Sequence, residues 1–263
     1  MGMMKSAITD IKSSIDKFDL IWALVVDDLK QRYRRTVLGP FWVVIGIGLW
    51  VSMTGFVGMA LFNADLKDYF TQVAVGMVLW IFLVGLLNEG VSLLQSNGSF
   101  ILNTNMPLSL YIIRALLKNI ALFLHYLVIP AIVIVALGVS FTPQVLLAIP
   151  FFMLYAFSGL CLVTILCFLC TRFRDLQQAV TALLQIVPIV TPILWSREFL
   201  PDDKKWIADV NPLYHYIHVI KASLIGQPIE ALSVTVVVTS TVVLAFIAFT
   251  VFTLCGRKSV YWL

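Results

Sequence analysis

Six long apolar runs, roughly 38–62, 69–87, 119–137, 145–171, 176–195 and 232–256, constrain this chain more than any other feature. A helix crosses a bilayer core with about 20 apolar residues. The pattern therefore predicts an all-α integral membrane fold with six transmembrane helices. Composition points the same way: 60% of residues are hydrophobic, 12% are charged, and the mean hydropathy is +0.97. Soluble domains run at about 45–50% apolar and about 25% charged. A soluble globular protein, a nucleic-acid binder and a disordered chain are all excluded. The runs read as one membrane domain over 1–263, with a tail in 1–37 and a six-span bundle in 38–263.

An even number of spans puts both termini on one side, and the cationic residues say which. Thirteen Lys and Arg fall in the N-terminal tail, the second and fourth connections and the C-terminus, whereas five (Lys67, Arg197, Lys204, Lys205 and Lys221) fall in the opposite loops. Cationic loops stay in the cytoplasm, so both termini are expected there. Residues 1–37 hold no apolar h-region, so no cleavable signal peptide is expected. The start MGMMKS fits a myristoylation pattern, but a short pattern on a chain with its own spans carries little weight.

Two further segments have helical spacing. Phe18, Ile21, Trp22, Val25, Val26, Leu29 and Tyr33 alternate with a charged face, as in an amphipathic helix lying at the membrane interface. Between the last two spans, a charged cluster from Pro201 to Lys205 leads past Asn211-Pro212 into Leu213, Ile217, Ile220 and Leu224. This stretch is too short to span and is expected to form a re-entrant or surface helix on the outer side.

The missing groups narrow the mechanism. His125 is the one ionisable residue well inside the spans, whereas ion-coupled transporters place charges at mid-membrane. No G-x-x-x-x-G-K-[ST] loop is present, so any ATP is bound by another subunit. No clustered acids, bases or metal ligands mark an active site. Asp202-Asp203 reads as a solvated turn. His215 and His218 lack a third ligand nearby, and the Cys167–Cys170 spacing sits inside an apolar run, where packing cysteines are the plainer reading. No catalytic residue, metal or cofactor is assigned to this chain.

The stretch Arg32-Tyr-Arg-Arg-Thr-Val-Leu-Gly-Pro-Phe-Trp42 resembles the entry signature of the polysaccharide-exporting permeases of the ABC superfamily. A second match lies in Thr191-Pro-Ile-Leu-Trp-Ser, followed by Asn211-Pro-Leu-Tyr-His215 and Leu224-Ile-Gly226. With length, span number and termini in agreement, the resemblance covers the whole chain. It is nearest to the O-antigen export permeases and also similar to the capsule and teichoic-acid branches.

That resemblance implies a homodimer in the bacterial inner membrane bound to two copies of a cytoplasmic nucleotide-binding ATPase, which holds ATP and Mg. The cargo would be an undecaprenyl-diphosphate-linked O-antigen. The alternatives are capsular polysaccharide or teichoic acid, then a small-lipid or drug exporter, then an integral glycolipid-modifying enzyme. Family members dock the ATPase through an amphipathic helix after the second span. Here that position is about Gln95–Tyr111, with Asn97, Phe100, Asn103, Asn105 and Pro107 as coupling candidates; a plain connecting loop is the alternative.

Lys30, Arg32, Arg34 and Arg35 are candidates for seating the lipid diphosphate, because arginine donates paired hydrogen bonds to phosphate. Orientation of the first span is their plainer role. Gln178, Thr181, Gln185, Pro188 and Pro192 step by 3 and 4 along one face of the fifth span. Amides and hydroxyls fit a glycan path, or an interhelical seam. Trp50 and Phe56 in the first span are further path candidates, able to stack on sugar rings, while Gly48, Ser52 and Gly55 read as a packing face. Trp195, Tyr214, His215 and Tyr216 are candidates for an outer gate, or simple anchors. Glu89 is expected to pair with Arg114 and Lys118.

Overall fold

The computed structural model describes residues 2–39, 41–104, 106–139, 142–256 and 258–263. Among the described residues every regular element is a helix. In order these are α1 (Gly2–Asp16), α2 (Phe18–Tyr33), α3 (Phe41–Phe62), α4 (Leu66–Ser96), α5 (Gly98–Asn103), α6 (Leu108–Tyr126), α7 (Val128–Ala136), α8 (Ala148–Arg172), α9 (Asp175–Val190), α10 (Trp206–Asp209), α11 (Pro212–Ile225) and α12 (Ala231–Cys255).

Five stretches are long and apolar enough to cross a membrane: α3, α4, α6 with α7, α8 with its preceding turn, and α12. The run expected as a fifth span forms α9, a helix of 16 residues. At 1.5 Å per residue it reaches about 24 Å, short of a core of about 30 Å. Its flanks nonetheless bind opposite ends of the bundle. Gln177 near its start donates to Gln95 Oε1 (2.8 Å) and Val91 O (3.0 Å), while the Trp195 carbonyl just beyond its end accepts from Gln72 (2.6 Å).

The core is built around α4, whose apolar window is 78% buried against 22% for α3 and 17% for α12. It packs on α3, α6, α7, α8, α9 and α11. Glycines permit two of the close approaches. A methyl group on Gly90 of α4 would meet Val163 of α8, and one on Gly58 of α3 would collide with the Tyr69 ring. The outward faces of α3 and α12 carry Leu49, Met53, Val57, Leu61, Val242, Phe246 and Leu254, all exposed, as a lipid- or partner-facing surface requires.

Several boundaries differ from the sequence pattern. The helix expected from residue 119 begins at Leu108, because Asp10 of α1 caps it: its carboxylate accepts from the Leu108 and Ser109 amides (3.0 Å each) and the Ser109 hydroxyl (2.5 Å). The polar residues of its first turns stay helical since each has a partner. Arg114 makes a two-bond pair with Asp28 (2.8 and 2.5 Å), and Lys118 pairs with Glu89 at 2.5 Å. Glu89 thus binds Lys118 and not Arg114, which corrects the three-residue cluster expected from sequence. α1 itself was not legible; it lies against α6 and α12, bringing the N-terminus and the C-terminal segment to one end of the bundle. α2 lies where a helix was expected, with Ile21 and Val25 buried and α6 as its neighbour.

Candidate functional site

At the end of the bundle that holds the termini, α2, α3, α4 and α6 enclose a cavity of about 440 Å³. Its polar lining is Arg32 from α2, Glu89 from α4, and Lys118, Asn119 and Tyr126 from α6; Val43, Ile47, Ile81, Phe82 and Leu122 supply hydrocarbon. Asn119 joins the ion pair by donating to Glu89 Oε2 at 2.8 Å. A smaller cavity of about 240 Å³ lies beside it, lined by Asp28, Tyr111 and Arg114 among others, and Glu89 and Lys118 line both. Helical spacing explains the convergence: Lys118 and Asn119 sit one turn below Leu122 and two below Tyr126 on a single stripe of α6.

Of the four headgroup candidates, the structure brings only Arg32 to this cavity. All four are exposed, and Lys30, Arg34 and Arg35 lie on α2 and the turn after it without lining the cavity. That turn reverses the chain through Arg35 and Gly39, both at positive φ (63° and 53°). Tyr33 stands against His125, with ring centroids 6.3 Å apart, and its buried hydroxyl has no hydrogen-bond partner among the described residues.

The coupling segment splits into the end of α4, the six-residue α5 and the start of α6. Asn97 closes α4 by donating to Leu93 O (2.8 Å), and Asn103 donates to Ser99 O (2.8 Å). Ile101 is buried while Phe100 and Leu102 are exposed, so α5 presents apolar side chains away from the bundle. Pro107 stands at the N-cap of α6; Asn105 lies outside the described residues.

Along α9, Gln178, Thr181 and Gln185 face outward. Thr181 satisfies its hydroxyl on Gln177 O (2.9 Å), but neither amide has a hydrogen-bond partner among the described residues. Trp50 and Phe56 are exposed on α3, and Phe56 meets Phe70 edge-on at 5.2 Å. Pro192 stops the helix; Trp195 Nε1 takes up the Ile189 carbonyl near its end (2.8 Å), and Tyr69 donates to Leu194 O in the segment beyond (2.6 Å).

The other gate candidates are buried and committed. His215, fully buried, bonds Ser233 Oγ (2.9 Å) through Nδ1 and the Asp209 carbonyl (2.8 Å) through Nε2. The Tyr216 hydroxyl contacts Ser158 (2.7 Å), Thr241 (2.6 Å) and Ser240 (3.0 Å), tying α11 to α8 and α12. Tyr214 stacks on His218 at 5.4 Å. Lys221, read from sequence as a loop residue, is on α11 and donates to Gln72 Oε1 at 3.1 Å. Just before α11, Arg197 grips Asp209 with two hydrogen bonds (2.6 and 2.8 Å), which holds that carboxyl below the usual carboxylate range. Cys161, Cys167 and Cys170 are buried and free, and no group of three metal-ligating side chains occurs among the described residues.

A bundle of long apolar helices with a polar, cation-bearing cavity at one end and amides on an open face is the architecture of an integral membrane protein. The chain matches the ABC-2 type transporter family over residues 19–225, and it belongs to that family. It is similar to an O-antigen export system permease protein RfbA of Klebsiella pneumoniae, 25% identical over 203 residues, covering 74% of this chain and 76% of the relative. A permease of the same description from Myxococcus xanthus is 23% identical over 196 residues, covering 74% and 75%.

Proposed function

We propose that this chain is the membrane subunit of an ABC transporter that exports undecaprenyl-diphosphate-linked O-antigen polysaccharide across the bacterial inner membrane. Its similarity to O-antigen export permeases over three quarters of both chains carries the reading. Membership of the ABC-2 family supports energy from ATP hydrolysed on separate nucleotide-binding subunits, two per permease dimer. α5, with Phe100 and Leu102 turned outward, is the docking element. The excess of Lys and Arg at this end favours a cytoplasmic position for it and for both termini. Six crossings follow if α9 and residues 191–195 together complete the fifth.

In this reading a second copy faces the open side of α3 and α9, and the glycan passes along Gln178, Thr181 and Gln185, with Trp50 and Phe56 as stacking surfaces. The amides favour this arrangement, because an unpaired amide against lipid is costly. Residues Trp195 to Tyr216 border the exit. The test is ATP-driven uptake of polyprenyl-diphosphate glycan into inside-out membrane vesicles. Uptake that needs both ATP and this chain is the expected result. Uptake of a glycan on a phospholipid terminus would move the cargo to capsule, and uptake driven by an ion gradient without ATP would refute the reading.

A further inference from the structure

α9 is held chiefly at its two ends, and one helix holds both. Leu184 is the one buried side chain along its 16 residues. Beyond its C-terminal end, Ile193 is fully buried against Gly76 of α4, where an added methyl group would touch it at 3.4 Å. Tyr69 and Gln72 of α4 donate to the Leu194 and Trp195 carbonyls just after (2.6 Å each). The N-terminal end has a different fastening. There Phe173 and Arg174 turn the chain from α8 into α9, and Gln95, in the last turn of α4, bonds both sides of that corner. Its Nε2 donates to Cys170 O at 3.2 Å, and its Oε1 accepts from Gln177 Nε2 at 2.8 Å. Cys170 O is among the last four carbonyls of α8, which a helix leaves without an internal partner. Gln177 also reaches Val91 O, one turn back on α4 (3.0 Å).

Gln95 is also three residues from Gly98, where α5 begins. We propose that Gln95 is a positioning residue: it clasps the α8–α9 corner to α4, so that a push on α5 turns α9 and its Gln178–Gln185 face as one body with α4. The push comes from the ATPase of the export reading, so this consequence rests on that reading; the clasp does not. A seam of hydrocarbon alone would let α9 slide or roll on α4, because apolar burial has no direction. Hydrogen bonds hold a preferred line, and opening an amide pair between packed helices strands both partners. The corner therefore follows α4 and does not slip past it.

The experiment places the full chain with its ATPase in inside-out vesicles and measures ATP hydrolysis and uptake of polyprenyl-diphosphate glycan on one preparation. Amide hydrogen exchange is followed on the same variants in nanodiscs. The double variant, Gln95→Leu with Gln177→Leu, replaces both amides by hydrocarbon of similar size and leaves one carbonyl unpaired. It is expected to unfold within about 4 °C of the parent. Exchange across 170–180 should rise severalfold with α11 unchanged, and glycan taken up per ATP hydrolysed should fall severalfold while hydrolysis continues. Gln95→Glu keeps an acceptor for Gln177 and should recover most of that ratio. A ratio equal to the parent's in the double variant overturns the proposal, as does unchanged exchange at the corner. Loss of hydrolysis together with uptake would assign Gln95 to ATPase docking and overturn it as well. Faster exchange at the corner in the double variant, with no ATP-driven uptake by the parent, would uphold the clasp and remove the export reading.

Discussion

Two helices of the second half of the chain, α9 and α11, use polar residues in opposite ways. On α11 the polar side chains are spent inside the chain: His215 on Ser233 and the Asp209 carbonyl, Tyr216 on Ser158, Ser240 and Thr241, Lys221 on Gln72. On α9 the amides of Gln178 and Gln185 face out with no hydrogen-bond partner among the described residues. Both helices look amphipathic in sequence. The difference is that α11 is wedged against α4, α8 and α12, whereas α9 rests more lightly on α4 and α8. Chemistry available to a second copy or a passing glycan therefore lies on α9, and α11 is the framework behind it.

This contrast predicts effects on stability for α11 and on transport for α9. The largest effect is expected for His215→Ala, which leaves a cavity and an unpaired Asp209 carbonyl. It should lower stability by about 3 kcal/mol in a thermal-unfolding series in detergent. A change under 1 kcal/mol would break the claim that α11 is framework. Tyr216→Phe keeps the packing and removes one hydroxyl from a network whose other members still bond each other, so about 1 kcal/mol is expected.

The Arg197–Asp209 pair that introduces α11 gives a smaller signal, visible in pH. Asp209 is held below its usual range in the folded chain, first by hydrogen bonds from Arg197. Its stabilisation is full above the unfolded carboxylate value of about 3.9 and is lost as pH falls through the lower folded value. The unfolding temperature should therefore decline on that acid limb, and Asp209→Asn should flatten this part of the decline. The smallest stability change, within about 0.5 kcal/mol, is expected for Gln178→Leu and Gln185→Leu. Export by the double variant should nonetheless fall severalfold in the vesicle assay. Full export would assign the stripe to packing.

Hydropathy made the long helices readable because each needs about 20 apolar residues whatever its neighbours are. It placed the start of α6 eleven residues late, since Arg114, Lys118 and Asn119 look like loop residues until Asp28 and Glu89 are seen beside them. α1 was unreadable for a related reason: its anchor is Asp10, whose three donors come from residues about a hundred positions away. Part of the candidate site was legible. Lys30, Arg32, Arg34 and Arg35 were readable as one cationic group, but which of them lines the cavity depends on how α2 lies on α6. The meeting of Arg32 with Lys118 could not be read at all, since it joins helices far apart in sequence. Sequence pattern reports the faces of an element; it does not report which faces meet.

Export on ATP from a partner subunit is the central claim, and co-purification tests it most directly. The tagged chain would be drawn from its native membranes in mild detergent, and the complex assayed for subunit ratio, ATP hydrolysis and bound polyprenyl glycan. Two copies of this chain with two of an ATPase, carrying a diphosphate-linked glycan, is the predicted result. A chain that purifies with no ATPase under conditions that keep it folded would contradict the account.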